Sequence, residues 1–198
     1  GILVAEAPSF RQFQYFFLKT VKQQNLIISR DGRGDYMRNH RPLLGEGIRS
    51  FCPSAGYGMF DSTVCDIFLV NDEGELIGRP ILAACVDAYS SMCLGYSLGL
   101  TGGVESLERL ALNLVEDKTD WCRKFGINIK EEEWNCRSLP HVFITDLGRE
   151  YASQQFSQLS DLGVSIVNLP PYRPELKGAV EKFFDLIQAS FKKELATK

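Results

Sequence analysis

The feature that most constrains this chain is a change of hydrophobic period. Residues 60–70, 80–88 and 92–100 are three runs rich in β-branched and aromatic side chains, with turn chemistry at Asn71-Asp72-Glu73-Gly74 between the first two. Then Val104, Leu107, Leu110, Ala111, Leu114, Val115, Cys122 and Phe125 recur at helical spacing, with Gly126 placed to end the helix. Three sequential strands followed by a helix predict an antiparallel meander covered on one face. Downstream, the pattern predicts a short buried strand over 141–145, a helix over 153–162, a strand over 164–168 and a final helix from Gly178. The order is βββαβαβα, an α/β domain.

Upstream, Pro8-Ser9 followed by Phe10, Phe13, Phe17 and Val21 predicts a short amphipathic helix with a Ser cap. Residues 26–56, with several glycines and arginines and no sustained period, read as an extended basic linker. The expected organisation is 1–25 as the end of an upstream helical region, 26–56 as that linker, and 57–198 as the compact domain.

Charge is uneven along the chain. Residues 1–60 carry 8 basic and 4 acidic side chains, whereas 61–198 carry 14 and 21, a net −7. An acidic body is a poor nonspecific coat for nucleic acid, whose affinity comes from phosphate neutralisation. It suits an enzyme that holds divalent cations with carboxylates. Six cysteines without a close pair and only two histidines, His40 and His141, do not make a zinc site, and they predict reduced thiols in a cytoplasmic setting. No apolar run approaches the ~18 residues of a membrane span, so no membrane partner is expected.

The candidate chemistry lies in carboxylates. Asp146 follows a predicted strand end, where sites in open α/β sheets gather, and Leu147-Gly148 lets the chain turn there; capping the next helix is the competing role for this Asp. In the last helix, Val180, Phe183, Phe184, Ile187 and Phe191 form the apolar stripe, and Glu181 falls about 100° from Val180, on the shoulder of that stripe. A carboxylate there can point into a cleft between helix and sheet, or into solvent.

Three segments in order point to a family: Asp61 in Tyr57-Gly58-Met59-Phe60-Asp61-Ser62-Thr63, Asp146 in Ile144-Thr145-Asp146-Leu147-Gly148, and Glu181 in Lys177-Gly178-Ala179-Val180-Glu181. With Glu181 35 positions after Asp146, they resemble the Asp-Asp-Glu triad of the retroviral integrase and transposase superfamily. Ile77-Gly78-Arg79-Pro80, Val86-Asp87-Ala88-Tyr89-Ser90, Asp117-Lys118-Thr119 and Pro170-Pro171-Tyr172-Arg173 narrow the resemblance to TnsB-type transposases of heteromeric bacterial transposons. The Pro8-Ser9-Phe10-Arg11-Gln12-Phe13 helix is similar to the end of that family's upstream DNA-binding region.

The resemblance implies a ribonuclease-H-like catalytic core with a five-stranded mixed sheet flanked by helices. It further implies two Mg²⁺ ions per site, with Mn²⁺ as substitute, held by Asp61 as bridging ligand and by Asp146 and Glu181. The implied reaction is hydrolysis at transposon 3′ ends followed by attack of the 3′-OH on target DNA. Implied partners are transposon-end and target DNA, an endonuclease subunit that cuts the 5′ ends, an AAA+ regulator, and further copies assembled on DNA at the bacterial nucleoid. Another ribonuclease-H-like endonuclease and a non-catalytic DNA-binding or assembly relic are the alternatives.

Near the triad, Asp66 is a rival carboxylate, but an odd separation of five predicts that strand alternation turns it away from Asp61. Asp87 is expected to bond the turn through Ser90. Integrase-like enzymes place cations one and two turns after the catalytic Glu, where this chain has Asp185 and Gln188. Lys177, Arg173, Arg149 and Lys192 are therefore the candidate phosphate contacts.

Overall fold

The computed structural model describes residues 7–42, 47–145, 160–169 and 174–196. The chain divides into two compact units, Gly1–Leu44 and Gly45–Lys198. In the first, α1 (Phe10–Thr20) starts as expected at Ser9. The Ser9 Oγ accepts from the Gln12 amide at 3.3 Å while Gln12 Oε1 accepts from the Ser9 amide at 2.8 Å, a reciprocal capping box. Phe13 and Phe17 stack at 6.0 Å on its apolar stripe.

The segment expected to be an extended linker is largely helical instead. Helix α2 spans Gln23–Asp35 and runs into a π-helical turn, Tyr36–His40. Of the glycines in α2 only Gly32 leaves helical geometry, at φ +84°, kinking the helix without ending it. A one-turn helix, α3 (Ile48–Phe51), precedes the sheet.

The described residues of the second unit form a five-stranded sheet in the order β5-β4-β1-β6-β7. Strands β1 (Tyr57–Val64), β4 (Ile81–Asp87) and β5 (Cys93–Gly99) are antiparallel neighbours, as the meander predicted. Strands β6 (Val142–Thr145) and β7 (Ser165–Asn168) add in parallel on the other side of β1. The run read as one strand over 60–70 starts earlier and stops at Val64. Its remainder joins a small hairpin of β2 (Leu69–Val70) and β3 (Leu76–Gly78) around the Asn71–Gly74 turn.

The helical period after β5 is split in two, α4 (Val104–Val115) and α5 (Lys118–Arg123). The Asp117 carboxylate accepts from the Thr119 and Asp120 amides at 2.8 and 3.1 Å and starts a new helix. Lys118, 1% exposed, turns its ammonium back onto the carbonyls of Asn113, Leu114 and Glu116, which α4 leaves without helical partners. Burial pulls its pKa below the usual lysine value. A buried cation thus replaces the turn of helix that the apolar pattern suggested.

Strand alternation sorts the core into two layers. Met59, Leu82, Ala84, Val86 and Ile144 pack with Leu176, Val180 and Phe184 of the C-terminal segment. Phe60, Ala83, Cys85 and Phe143 pack with Leu107, Leu110 and Leu114 of α4. The C-terminal helix, α6 (Gly178–Ala196), buries the expected stripe at Val180 and Phe184. All six cysteines are free thiols, and burial pushes Cys52 up to about 11 and Cys93 up to about 12. The helix expected over 153–162 lies almost wholly outside the described residues. No helix among the described residues is long and apolar enough to cross a membrane.

Candidate active site

Asp61 stands on the central strand of the sheet, two residues beyond buried Met59, so alternation turns both toward the α6 layer. Its cross-strand partner is Ala84, which is fully buried. Oδ1 accepts from the Ser62 amide at 2.9 Å. Oδ2 lies 3.3 Å from the Lys177 ammonium, and the two side chains are 23% and 19% exposed. Lys177 closes the 3₁₀ turn Pro174–Lys177 that leads into α6, and fully buried Leu176 and Val180 anchor that junction in the core.

Glu181 follows Lys177 by four residues, in the first turn of α6, with an exposed side chain. A carboxylate there is favoured by the partial positive charge of the helix start. Strand β6 runs parallel to β1 with Met59 opposite Ile144, and it ends at Thr145, whose buried hydroxyl donates to Asn168 Oδ1 at 3.2 Å. Asp146, next in the chain, lies outside the described residues, as do Arg149 and Arg173. Two of the three expected ligands are thus described, Asp61 with an ammonium on it and Glu181 at the start of the helix that anchors that ammonium.

The other candidates sort by their partners. Asp66 was expected on the opposite face, but the strand ends at Val64 and alternation ends with it. Asp66 instead reaches α6, pairing with Lys192 at 2.8 Å and with Arg79. Its amide donates to Gln188 Oε1 at 3.2 Å. Lys192 foremost, then Arg79, holds the Asp66 carboxyl below the usual carboxylate range. Lys192 therefore serves an ion pair fifteen residues along the chain from Lys177, about 22 Å at helical rise. Gln188, where relatives were expected to carry a cation, holds the same junction. Asp87 bonds its turn as read from sequence, accepting from the Ser90 amide and hydroxyl at 2.8 and 2.6 Å, and it also accepts from the Gly56 amide at 2.8 Å.

Two features escaped the sequence reading. The contact of Lys177 with Asp61 spans 116 residues, and its only local trace is the Lys177-to-Glu181 spacing of one helical turn. In the first unit, Asp31, Asp35 and His40 bring ligand atoms within 4.8 Å of one another, with His40 Nε2 3.3 Å from Asp35 Oδ2. A cleft of about 790 Å³ between the sheet and α6, lined among others by Cys65, Leu82, Tyr96, Trp134 and Phe183, is apolar, and its described lining includes neither Asp61 nor Glu181.

Residues 59–197 match the model of the TnsB C-terminal domain family. The chain is 33% identical over 189 residues to the transposition protein TnsB of transposon Tn7 from Escherichia coli, covering 93% of this chain and 27% of that protein. It is 25% identical over 189 residues to the transposase for transposon Tn552 from Staphylococcus aureus, covering 95% of this chain and 36% of that protein. The chain thus spans about a quarter to a third of the length of these relatives. A chain of the simian T-cell lymphotropic virus intasome, solved with the PP2A regulatory subunit B56 gamma, superposes with a TM-score of 0.52 at 17% identity, covering 93% of this chain and 58% of that one. That likeness, on a mixed five-stranded sheet flanked by helices, is one of fold, and the fold is ribonuclease-H-like. With the family match running from the central strand β1 to the last turn of α6, the chain belongs to the TnsB C-terminal domain family.

Proposed function

We propose that this chain is the catalytic domain of a DNA transposase, which hydrolyses the transposon 3′ ends and joins the freed 3′-OH to target DNA. The observation that carries the reading is Asp61 on the central strand, with a cation already drawn to its carboxylate and Glu181 opening the helix that packs over the same face. Asp146 supplies the third carboxylate, directly after a strand that pairs with β1.

The donor set fits a hard divalent cation. Carboxylate oxygens suit Mg²⁺, or Mn²⁺ in its place, and Asp61 Oδ2 is a site where positive charge is stabilised. Asp61 would bridge two ions while Asp146 and Glu181 each complete one. When bound, the pair supplies charge stabilisation for the entering and leaving oxygens of the phosphodiester. The chain's own work is to hold the carboxylates on rigid elements: β1 is paired on both sides, and α6 is fastened by Val180 and Phe184 at one end and by the Asp66–Lys192 pair further along. Lys177, and with it Arg149 and Arg173, would hold DNA phosphates, whereas the net −7 of residues 61–198 opposes them. The substrates are transposon-end and target DNA. An endonuclease subunit for the 5′ ends, an AAA+ regulator and further copies on DNA in the bacterial cytoplasm complete the proposed assembly.

The test is strand transfer by the full-length protein on pre-cleaved transposon-end DNA with Mg²⁺. Joined products that vanish in Asp61→Asn, Asp146→Asn and Glu181→Gln, each still folded, support the proposal. Cutting without joining favours an endonuclease, and metal-independent DNA binding without chemistry favours an assembly protein.

A further inference from the structure

The Asp61 carboxylate carries one partner on each oxygen. Oδ1 takes the Ser62 amide of its own strand, and Oδ2 takes the Lys177 ammonium at 3.3 Å. Both side chains are about four-fifths shielded, and the site is bordered by apolar Met59, Ala84, Leu176 and Val180. The ammonium is also held from below, because Leu176 and Val180, on either side of Lys177 in the chain, are fully buried.

A divalent cation on Asp61 Oδ2 would stand about 2.1 Å from that oxygen. It would then lie within a few ångströms of the ammonium, close enough for strong repulsion between like charges. The oxygen can serve either cation well, but not both at once. We infer that Lys177 is the resident counter-ion of the metal-free site, that metal loading displaces its ammonium from Asp61 Oδ2, and that the released ammonium becomes a phosphate contact for DNA. This rests on the metal-binding reading above and deepens it. Lys177 is a positioning residue whose two positions couple metal loading to DNA capture. The coupling is reciprocal, so DNA should tighten metal binding by the factor with which metal tightens DNA binding.

The test is calorimetric titration of Mn²⁺ into the whole chain as wild type, Lys177→Met, Lys177→Arg and Asp61→Asn. Removing the competing charge should tighten Mn²⁺ binding roughly tenfold in Lys177→Met, equivalent to about 1.4 kcal/mol. Lys177→Arg keeps the charge and should stay near wild type. Mn²⁺ should also strengthen binding of a short DNA duplex more in wild type than in Lys177→Met. Lys177→Gln repeats the comparison if the Met variant melts early. Unchanged or weaker Mn²⁺ affinity in Lys177→Met, with binding still abolished by Asp61→Asn, overturns the inference and leaves the proposed function standing. Absence of any Asp61-dependent Mn²⁺ binding overturns the metal reading and this inference with it.

Discussion

Asp87 is the sharpest test of whether a buried carboxylate near the strand ends serves structure rather than chemistry. It is 2% exposed, at the end of β4, and joins two places distant in sequence: the Gly56 amide just before β1 and the turn through Ser90. Replacing it with Ala leaves both amides without their acceptor, whereas the Ser90 hydroxyl can turn to water. An orphaned amide costs about 1–3 kcal/mol, and a bond to a charged acceptor contributes a similar amount, so Asp87→Ala should destabilise the fold by about 3–5 kcal/mol. Asp87→Asn keeps one carbonyl oxygen for Gly56 and should cost about half as much. Urea unfolding followed by tryptophan fluorescence is the assay, because the indole of Trp134 donates to the Cys93 carbonyl at 2.7 Å, at the start of β5. With a slope of about 2 kcal/mol/M, the midpoint should fall by roughly 1.5–2.5 M. Mn²⁺ affinity in the absence of urea should be unchanged. A loss below about 1 kcal/mol would refute the hydrogen-bond reasoning, and a loss of Mn²⁺ binding by the folded variant would show that Asp87 belongs to the metal site.

Two further predictions concern titrating groups. The Asp66 carboxyl is held below its usual 3.8 by Lys192 and Arg79, so its contribution to stability is present above about pH 4 and is lost as the pH falls through the lowered folded value. Asp66→Asn should therefore flatten the acid limb of the stability profile and leave neutral DNA cleavage largely intact; an unchanged acid limb would remove the ion pair from the account. With burial pushing Cys52 up to about 11 and Cys93 up to about 12, both thiols should react with iodoacetamide at pH 8 far more slowly in the native protein than in urea, and equal rates, followed by peptide mass, would contradict their burial.

The fold was legible where local period decides it. The three-strand meander was readable from its β-rich runs and turns, and the stripe through Val180 and Phe184 set the phase of α6. Legibility failed where a distant partner or a single side chain ends an element. The run of apolar residues through Cys122 and Phe125 kept helical phase across Glu116 and Asp117, and the Asp117 cap together with the buried turn-back of Lys118 shows why the helix breaks there. Asp66 looked like a strand residue until Arg79 and Lys192 drew it to α6. Helix α2 was hidden because glycine can leave helical geometry, yet Gly34 does not. In the candidate site, motif order singles out Asp61 and Glu181 as proposed ligands, but the ammonium on Asp61 comes from a residue 116 positions away and leaves no local pattern in β1.

The central claim is that Asp61, Asp146 and Glu181 together hold the divalent cations of a strand-transfer site. Anomalous diffraction from crystals grown with Mn²⁺ tests it most directly. The account predicts two manganese peaks about 4 Å apart, with Asp61 bridging them and Asp146 and Glu181 each ligating one. Manganese bound only at Asp31, Asp35 and His40, or none at Asp61 with the Lys177 ammonium still on its carboxylate, would contradict it.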